Sequence, residues 1–147
     1  MIDSLYFRDI VSSLEKVLYY ERGRGAYFRA TLVGKDFIDD KRIQGTTSEE
    51  VIESCVKVMR EKGIVKDASS IKDKNGTLFT FEIEGCMHLP IEARLKEEGV
   101  PTYICPPVNM ILYKIREILD LAVEIADITV NQDGGRCTIR VVVFKQD

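Results

Sequence analysis

The stretch Val65-Lys66-Asp67-Ala68-Ser69-Ser70-Ile71-Lys72-Asp73-Lys74-Asn75-Gly76-Thr77-Leu78-Phe79-Thr80-Phe81-Glu82-Ile83-Glu84-Gly85-Cys86 decides the fold. Its second half alternates. Phe79, Phe81 and Ile83 fall on one face, and Thr80, Glu82 and Glu84 on the other, the two-residue period of a half-buried strand. Asp73-Lys74-Asn75-Gly76 stands just before it, and Asn and Gly accept positive φ, so the quartet is a hairpin turn. Val65 to Ile71 is then the outgoing strand and Thr77 to Glu84 the returning one.

A second hairpin is expected at the carboxy-terminal end. It runs from about Ala126 to Gln132, turns at Asp133-Gly134-Gly135, and returns from Arg136 to Phe144. Cys137, Ile139, Val141 and Val143 share one face of the return strand. The rest reads as helix. Leu5, Ile10, Leu14, Val17 and Leu18 form a helical stripe between Asp3 and Tyr20, with Asp3 or Ser4 as N-cap. Ala26 to Asp40 is ambiguous, with Tyr27, Phe28, Thr31 and Val33 favouring strand, and the reading leans to helix.

Thr46 and Thr47 precede Glu49 and Glu50 as overlapping capping boxes. They open a helix that carries Cys55 on a buried stripe and stops at Gly63. Pro90 starts a short helix to Glu98, and Pro106-Pro107 opens a long one from Val108 to about Ala122. Strands grouped as hairpins, with helices set to one side, predict an α+β two-layer domain with an antiparallel sheet. No internal repeat or Pro/Gly-rich linker divides residues 1–147, which read as a single domain.

The chain has 147 residues, 45% apolar and 31% charged, with a net charge of -3 and one histidine, His88. One histidine excludes chemistry that needs several, and the absence of a basic excess argues against direct nucleic-acid binding. The opening Met1-Ile2-Asp3-Ser4 has no basic run and no apolar stretch long enough for a membrane, so a cytoplasmic protein is expected. Cys55, Cys86, Cys105 and Cys137 include no C-x-x-C pair and read as reduced thiols.

Several residue groups are open to functional readings. Gly23-Arg24-Gly25 lacks the third glycine of a dinucleotide fingerprint and follows a helix, so it reads as a turn. Arg22, Arg24 and Arg29 beside Tyr20, Tyr27 and Phe28 read as a solvated turn next to core aromatics. Cys86 and His88, two apart, fit a thiol nucleophile and its base, or a small buried thiol and a strand-end histidine. Cys86, His88, Cys105 and Cys137 are candidate ligands for zinc, or independent buried side chains. The pairs Asp39-Asp40, Glu49-Glu50 and Glu97-Glu98 sit at helix ends.

The succession Phe79 to Cys86, then Tyr103-Ile104-Cys105-Pro106-Pro107, then Gly135-Arg136-Cys137-Thr138-Ile139, resembles the 4-vinyl reductase (hydrocarbon-binding) domain family. That family is related in fold to haem-NO-binding domains and to transport-protein-particle trafficking subunits. The resemblance covers nearly the whole chain. It implies a domain, often dimeric, that holds a small apolar or aromatic molecule between helices and sheet. It also implies a zinc site, with Cys105 matching its first cysteine and Cys137 its third. The middle cysteine is missing around Ile128-Thr129-Val130; Asp127 stands near the acidic position, and Cys86 or His88 is the available replacement.

The expected function is therefore a stand-alone binding domain for a small apolar molecule, with Asn109, Tyr113 and Phe28 as ligand contacts and a homodimer as its assembly. Two alternatives stand beside it: a dimeric scaffold subunit without ligand, and a thiol enzyme using Cys86.

Overall fold

The computed structural model describes residues 4–26, 30–131 and 133–145. The order is α1 (Ser4–Arg22), 3-10 turns at Gly23–Gly25 and Ala30–Leu32, α2 (Lys35–Asp39) and α3 (Ser48–Glu61). There follow β1 (Asp67–Lys72), β2 (Leu78–Glu84), α4 (Leu89–Glu97), α5 (Pro106–Leu119), β3 (Leu121–Asn131) and β4 (Arg136–Lys145). The four strands form one antiparallel sheet in the order β1-β2-β4-β3. The two hairpins are joined where β2 pairs with β4, Phe81 opposite Ile139 and Ile83 opposite Cys137. This is the α+β two-layer arrangement that the alternating strands predict.

The local chemistry follows the sequence closely in the middle of the chain. Thr47 caps α3 by accepting a hydrogen bond from the Glu50 amide at 3.2 Å. Asp73 Oδ1 accepts from the amides of Thr77 and Leu78 at 2.9 and 3.1 Å and so closes the first hairpin. Phe79, Phe81, Ile83, Ile139 and Val141 are buried on the helix-facing side of the sheet. They meet Val51, Cys55 and Met59 of α3 and Val108, Ile111 and Ile115 of α5 in one core. A second, smaller core joins Ile91 and Leu95 of α4 to Ala26, Ala30, Val100, Tyr103 and Ile104.

Three expectations are corrected. The long helix ends at Leu119 rather than Ala122, because Asp120 takes a left-handed conformation at φ 53° and sends the chain straight into β3. β3 therefore starts at Leu121, five residues before the expected Ala126. Its alternation is broken by a bulge between Ile125 and Asp127, which hides the strand period from the sequence. Within Ala26 to Asp40 the described residues form a 3-10 turn and the short α2 rather than one helix; Tyr27, Phe28 and Arg29 lie outside the described residues, as does the expected cap Asp3. Gly34 separates turn and helix at φ 106°, and a Cβ there would stand 2.9 Å from Met110 Cγ of α5. Only glycine lets this loop lie directly on the long helix.

The stripe of α1 points the unexpected way. Of its residues Leu5, Ile10, Leu14 and Val17 are exposed, as are Tyr6, Phe7, Val11 and Tyr20, all at 37–68%, while Leu18 packs partly against the second core. The residues that α1 buries are Ser12 and Glu15. Helical periodicity establishes a stripe and leaves open which side faces the body of the chain.

Candidate functional site

A cavity of about 280 Å³ lies between α5, β3 and the 3-10 turn at Ala30–Leu32. Its lining includes Leu112, Tyr113 and Arg116 of α5, Val123 and Ile125 of β3, and Tyr103. An apolar cavity of about 150 Å³ already admits benzene, so this one has room for a substituted single ring. Asn109 and Tyr113, singled out from the sequence, both line it, while Phe28 lies outside the described residues.

The polar groups of the cavity are mostly tied to the protein. Asn109 is buried, and its Nδ2 donates to the carbonyls of Ala30 at 3.0 Å and Val33 at 3.2 Å. Tyr113 donates its hydroxyl proton to Asp39 Oδ1 at 2.7 Å, and that bond pushes the phenol well above its usual value. Tyr103 donates to the backbone oxygen of Glu15 and so pins α1 from below. Arg116 Nη2 donates to the Val123 carbonyl at 3.1 Å, joining helix to strand beside the exposed Glu124.

The candidate zinc residues come together elsewhere. Cys86, His88, Cys105 and Cys137 all line a void of about 20 Å³, together with Glu92 of α4 and Ile128 of β3. Gly85 makes this possible. Its φ of +62° turns the chain sharply after β2, so that Cys86 and His88 fold back over the start of α5, and the His88 amide meets Cys86 Sγ at 3.4 Å. The void is dry in character. Burial raises the thiols of Cys86, Cys105 and Cys137, the last to about 11, and lowers His88.

As folded, the set does not fit zinc. Zinc needs deprotonated sulfur converging tetrahedrally. Among the described residues no group of three or more His, Cys, Asp or Glu side chains is placed to hold a metal ion. Asp127 is also elsewhere: it accepts from Arg140 on the adjoining strand. The same burial opposes the Cys86 enzyme reading, because a nucleophile needs a lowered thiol pKa and here it is raised.

Sequence reasoning missed the acidic groups that matter locally. Glu92 and Glu15 are buried and hydrogen-bonded to each other across α4 and α1; among the described residues one carboxyl oxygen of each, and the Ser12 hydroxyl, have no hydrogen-bond partner. Desolvation raises both carboxyls above the ordinary carboxylate range, and the two titrate as a pair. At the rim of this seam Asp9 pairs with Arg94, and Lys16 with Glu98 at 2.9 Å. Nothing in the sequence links Glu15 to Glu92. The one local sign is that Ser12 and Glu15 stand three apart, on one face of α1.

No family model and no curated protein sequence matches the chain. Solved structures do. The chain shares its fold with the phenol-responsive sensory domain of the transcription activator PoxR, solved with phenol, which aligns over 94% of this chain and 74% of its own, with a TM-score of 0.53 and 14% identity. A trafficking protein particle complex subunit 3 from Naegleria fowleri, covalently bound to palmitic acid, aligns over 93% and 85%, with a TM-score of 0.43 and 16% identity. Among the described residues no helix is long and apolar enough to cross a membrane.

Proposed function

We propose that this chain is a binding domain for a small, largely apolar molecule, and that the cavity between α5 and β3 is its site. The observation that carries the reading is the cavity itself. A core of this quality closes its voids, yet about 280 Å³ remains open beside the packed face of α5. Ligand sites are mostly apolar with a few fixed polar groups, and the walls built by Leu112, Val123 and Ile125, with Asn109 and Tyr113, have that make-up. The PoxR domain of the same fold is described with phenol, which is in keeping with a single-ring ligand. The test is a thermal-shift and native mass-spectrometry screen with one-ring compounds on wild type and Ile125→Trp, which fills the cavity. Saturable stabilisation of wild type alone is expected. Absence of any shift and of any bound species overturns the reading.

We infer further that the working form is a homodimer paired through α1. Eight apolar side chains of α1 are 37–68% exposed, an apolar surface of the kind that marks a protein–protein contact. A helix that lies on membranes carries a basic polar face, whereas Ser4–Arg22 holds three acidic and three basic residues. The stripe has aromatic side chains at both ends and aliphatic ones between, so an antiparallel twofold pairing sets like against like. Sedimentation of wild type as a dimer, and of Leu14→Glu as a folded monomer, is expected. A wild-type chain that sediments as a monomer at tens of micromolar overturns the inference.

A further inference from the structure

The buried amide of Asn109 sets the polar character of the cavity wall. Both hydrogens of the Asn109 amide are used, one on the Ala30 carbonyl and one on the Val33 carbonyl. Two backbone acceptors on the nitrogen fix which way the amide is turned. The free end of this buried side chain is therefore Oδ1, an acceptor with no protein donor among the described residues. The hydroxyls follow the same rule. Tyr113 donates its O–H to Asp39, and Tyr103 donates its O–H to the Glu15 carbonyl. The Tyr113 oxygen, its hydrogen engaged by Asp39, faces the cavity as an acceptor. Among the described residues of the lining the one side-chain cation, Arg116, is exposed at the mouth, with the Glu124 carboxylate exposed on the same rim.

Resting on the binding reading above, we propose that the cavity selects ligands whose polar end donates a hydrogen bond, with Asn109 Oδ1 as the receiving atom. The ligand class is a small ring or branched hydrocarbon that carries one hydroxyl or amino group. An apolar body fills the space against Leu112, Val123 and Ile125, and the O–H or N–H meets Asn109. Ethers and tertiary amines of the same shape bring a second acceptor to an acceptor and leave both unpaired in a dry site, which is the costly case. Carboxylates add a charge that the interior does not meet. Asn109 is thus a specificity-determining residue, held in place by the loop that Gly34 allows to rest on α5.

The experiment uses the wild-type chain and matched pairs of probes: phenol against anisole, aniline against N,N-dimethylaniline, and benzoate as the anion. Affinities are read by titration calorimetry or by the shift of backbone and Asn side-chain amide resonances. Phenol and aniline are expected to bind about tenfold or more tighter than their methylated partners, in line with rejection by an unpaired buried polar group. Benzoate is expected to bind more weakly than phenol. The Asn109 amide resonances are expected to move with phenol and not with anisole. Equal or tighter binding of the methylated partners, or of benzoate, overturns the donor rule while leaving the binding site standing. Failure of all five compounds to bind overturns the binding reading with it. Because the discrimination is measured on wild type, it does not depend on a variant that loosens the loop at Ala30.

Discussion

Glu92 of α4 meets Glu15 of α1 across the seam between the two helices, and both carboxyls are buried there. Both are raised above the ordinary value of 4.5, first by desolvation. A carboxyl whose folded pKa is raised is more protonated in the folded chain than in the unfolded one. Its stabilising effect is complete below 4.5 and is lost as pH rises through the raised folded values. Glu92→Gln replaces the protonated carboxyl by a neutral donor of the same shape. Its unfolding free energy is expected to equal that of wild type within about 0.5 kcal/mol near pH 5 and to exceed it by about 1–2 kcal/mol near pH 9. Denaturant titration at the two pH values checks this, and a variant less stable than wild type at the higher pH contradicts it.

Tyr103 is the second tie on α1. Its hydroxyl reaches the carbonyl of Glu15 from the loop before α5, and its ring stands 5.7 Å from that of Tyr19. Tyr103→Phe keeps the ring contact and removes the buried donor. A loss of about 1–2 kcal/mol is expected, with faster amide exchange in α1 than in β2 or β4. Uniform exchange across the chain would show that α1 is not the element this bond holds.

How much of this was legible in the sequence depended on the range of the interaction. The hairpin at Asp73–Gly76 and the cap at Thr47 rest on contacts within five residues, and both stand as read. Asp120 looks like a helical surface residue followed by apolar Leu121 and Ala122, so the helix was read through a residue that in fact ends it. The extra residue in the β3 bulge shifts the two-residue period midway and hides the first five residues of the strand, Leu121 to Ile125. The cavity depends on a loop residue near position 30, a helix near 109 and a strand near 123, which no local pattern connects. Glu15 and Glu92 are 77 positions apart, and glutamates ordinarily read as surface. The apolar stripe of α1 was plain, but a period cannot say whether the wall it faces belongs to this chain or to another.

Gly85 carries the turn that gathers the thiol void. A Cβ at this position would stand 2.7 Å from Lys66 Cβ, and φ is +62°, so both space and backbone oppose a side chain. Gly85→Ala is expected to cost about 1–3 kcal/mol. The chain is expected to keep its sheet, because β2 ends before the turn, while Cys86 becomes reactive to alkylating reagents. Circular dichroism together with thiol titration separates the two effects.

The thiols give the remaining prediction. Alkylation proceeds through the thiolate, and its rate falls as the thiol pKa is raised and access is closed. Cys55 is pushed to about 12 by burial in the main core, and Cys105, capping α5, is raised as well. Cys137 is raised to about 11, and Cys86 is raised while remaining the least buried of the four. With iodoacetamide at about pH 8, the native chain is expected to lose Cys86 first. Cys137 should follow more slowly, with Cys55 and Cys105 reacting only at the rate of global unfolding. Added denaturant should bring all four to the rate of a free thiol, as read by intact mass. Early labelling of Cys105 would mean that α4 and the turn after Gly85 open together. In that case the void would be a working pocket, with Cys105 accessible at its floor. An order led by Cys86, with Cys105 protected, leaves the void as a closed seam between α4, α5 and the sheet, and leaves the cavity beside Asn109 as the place where a ligand meets the chain.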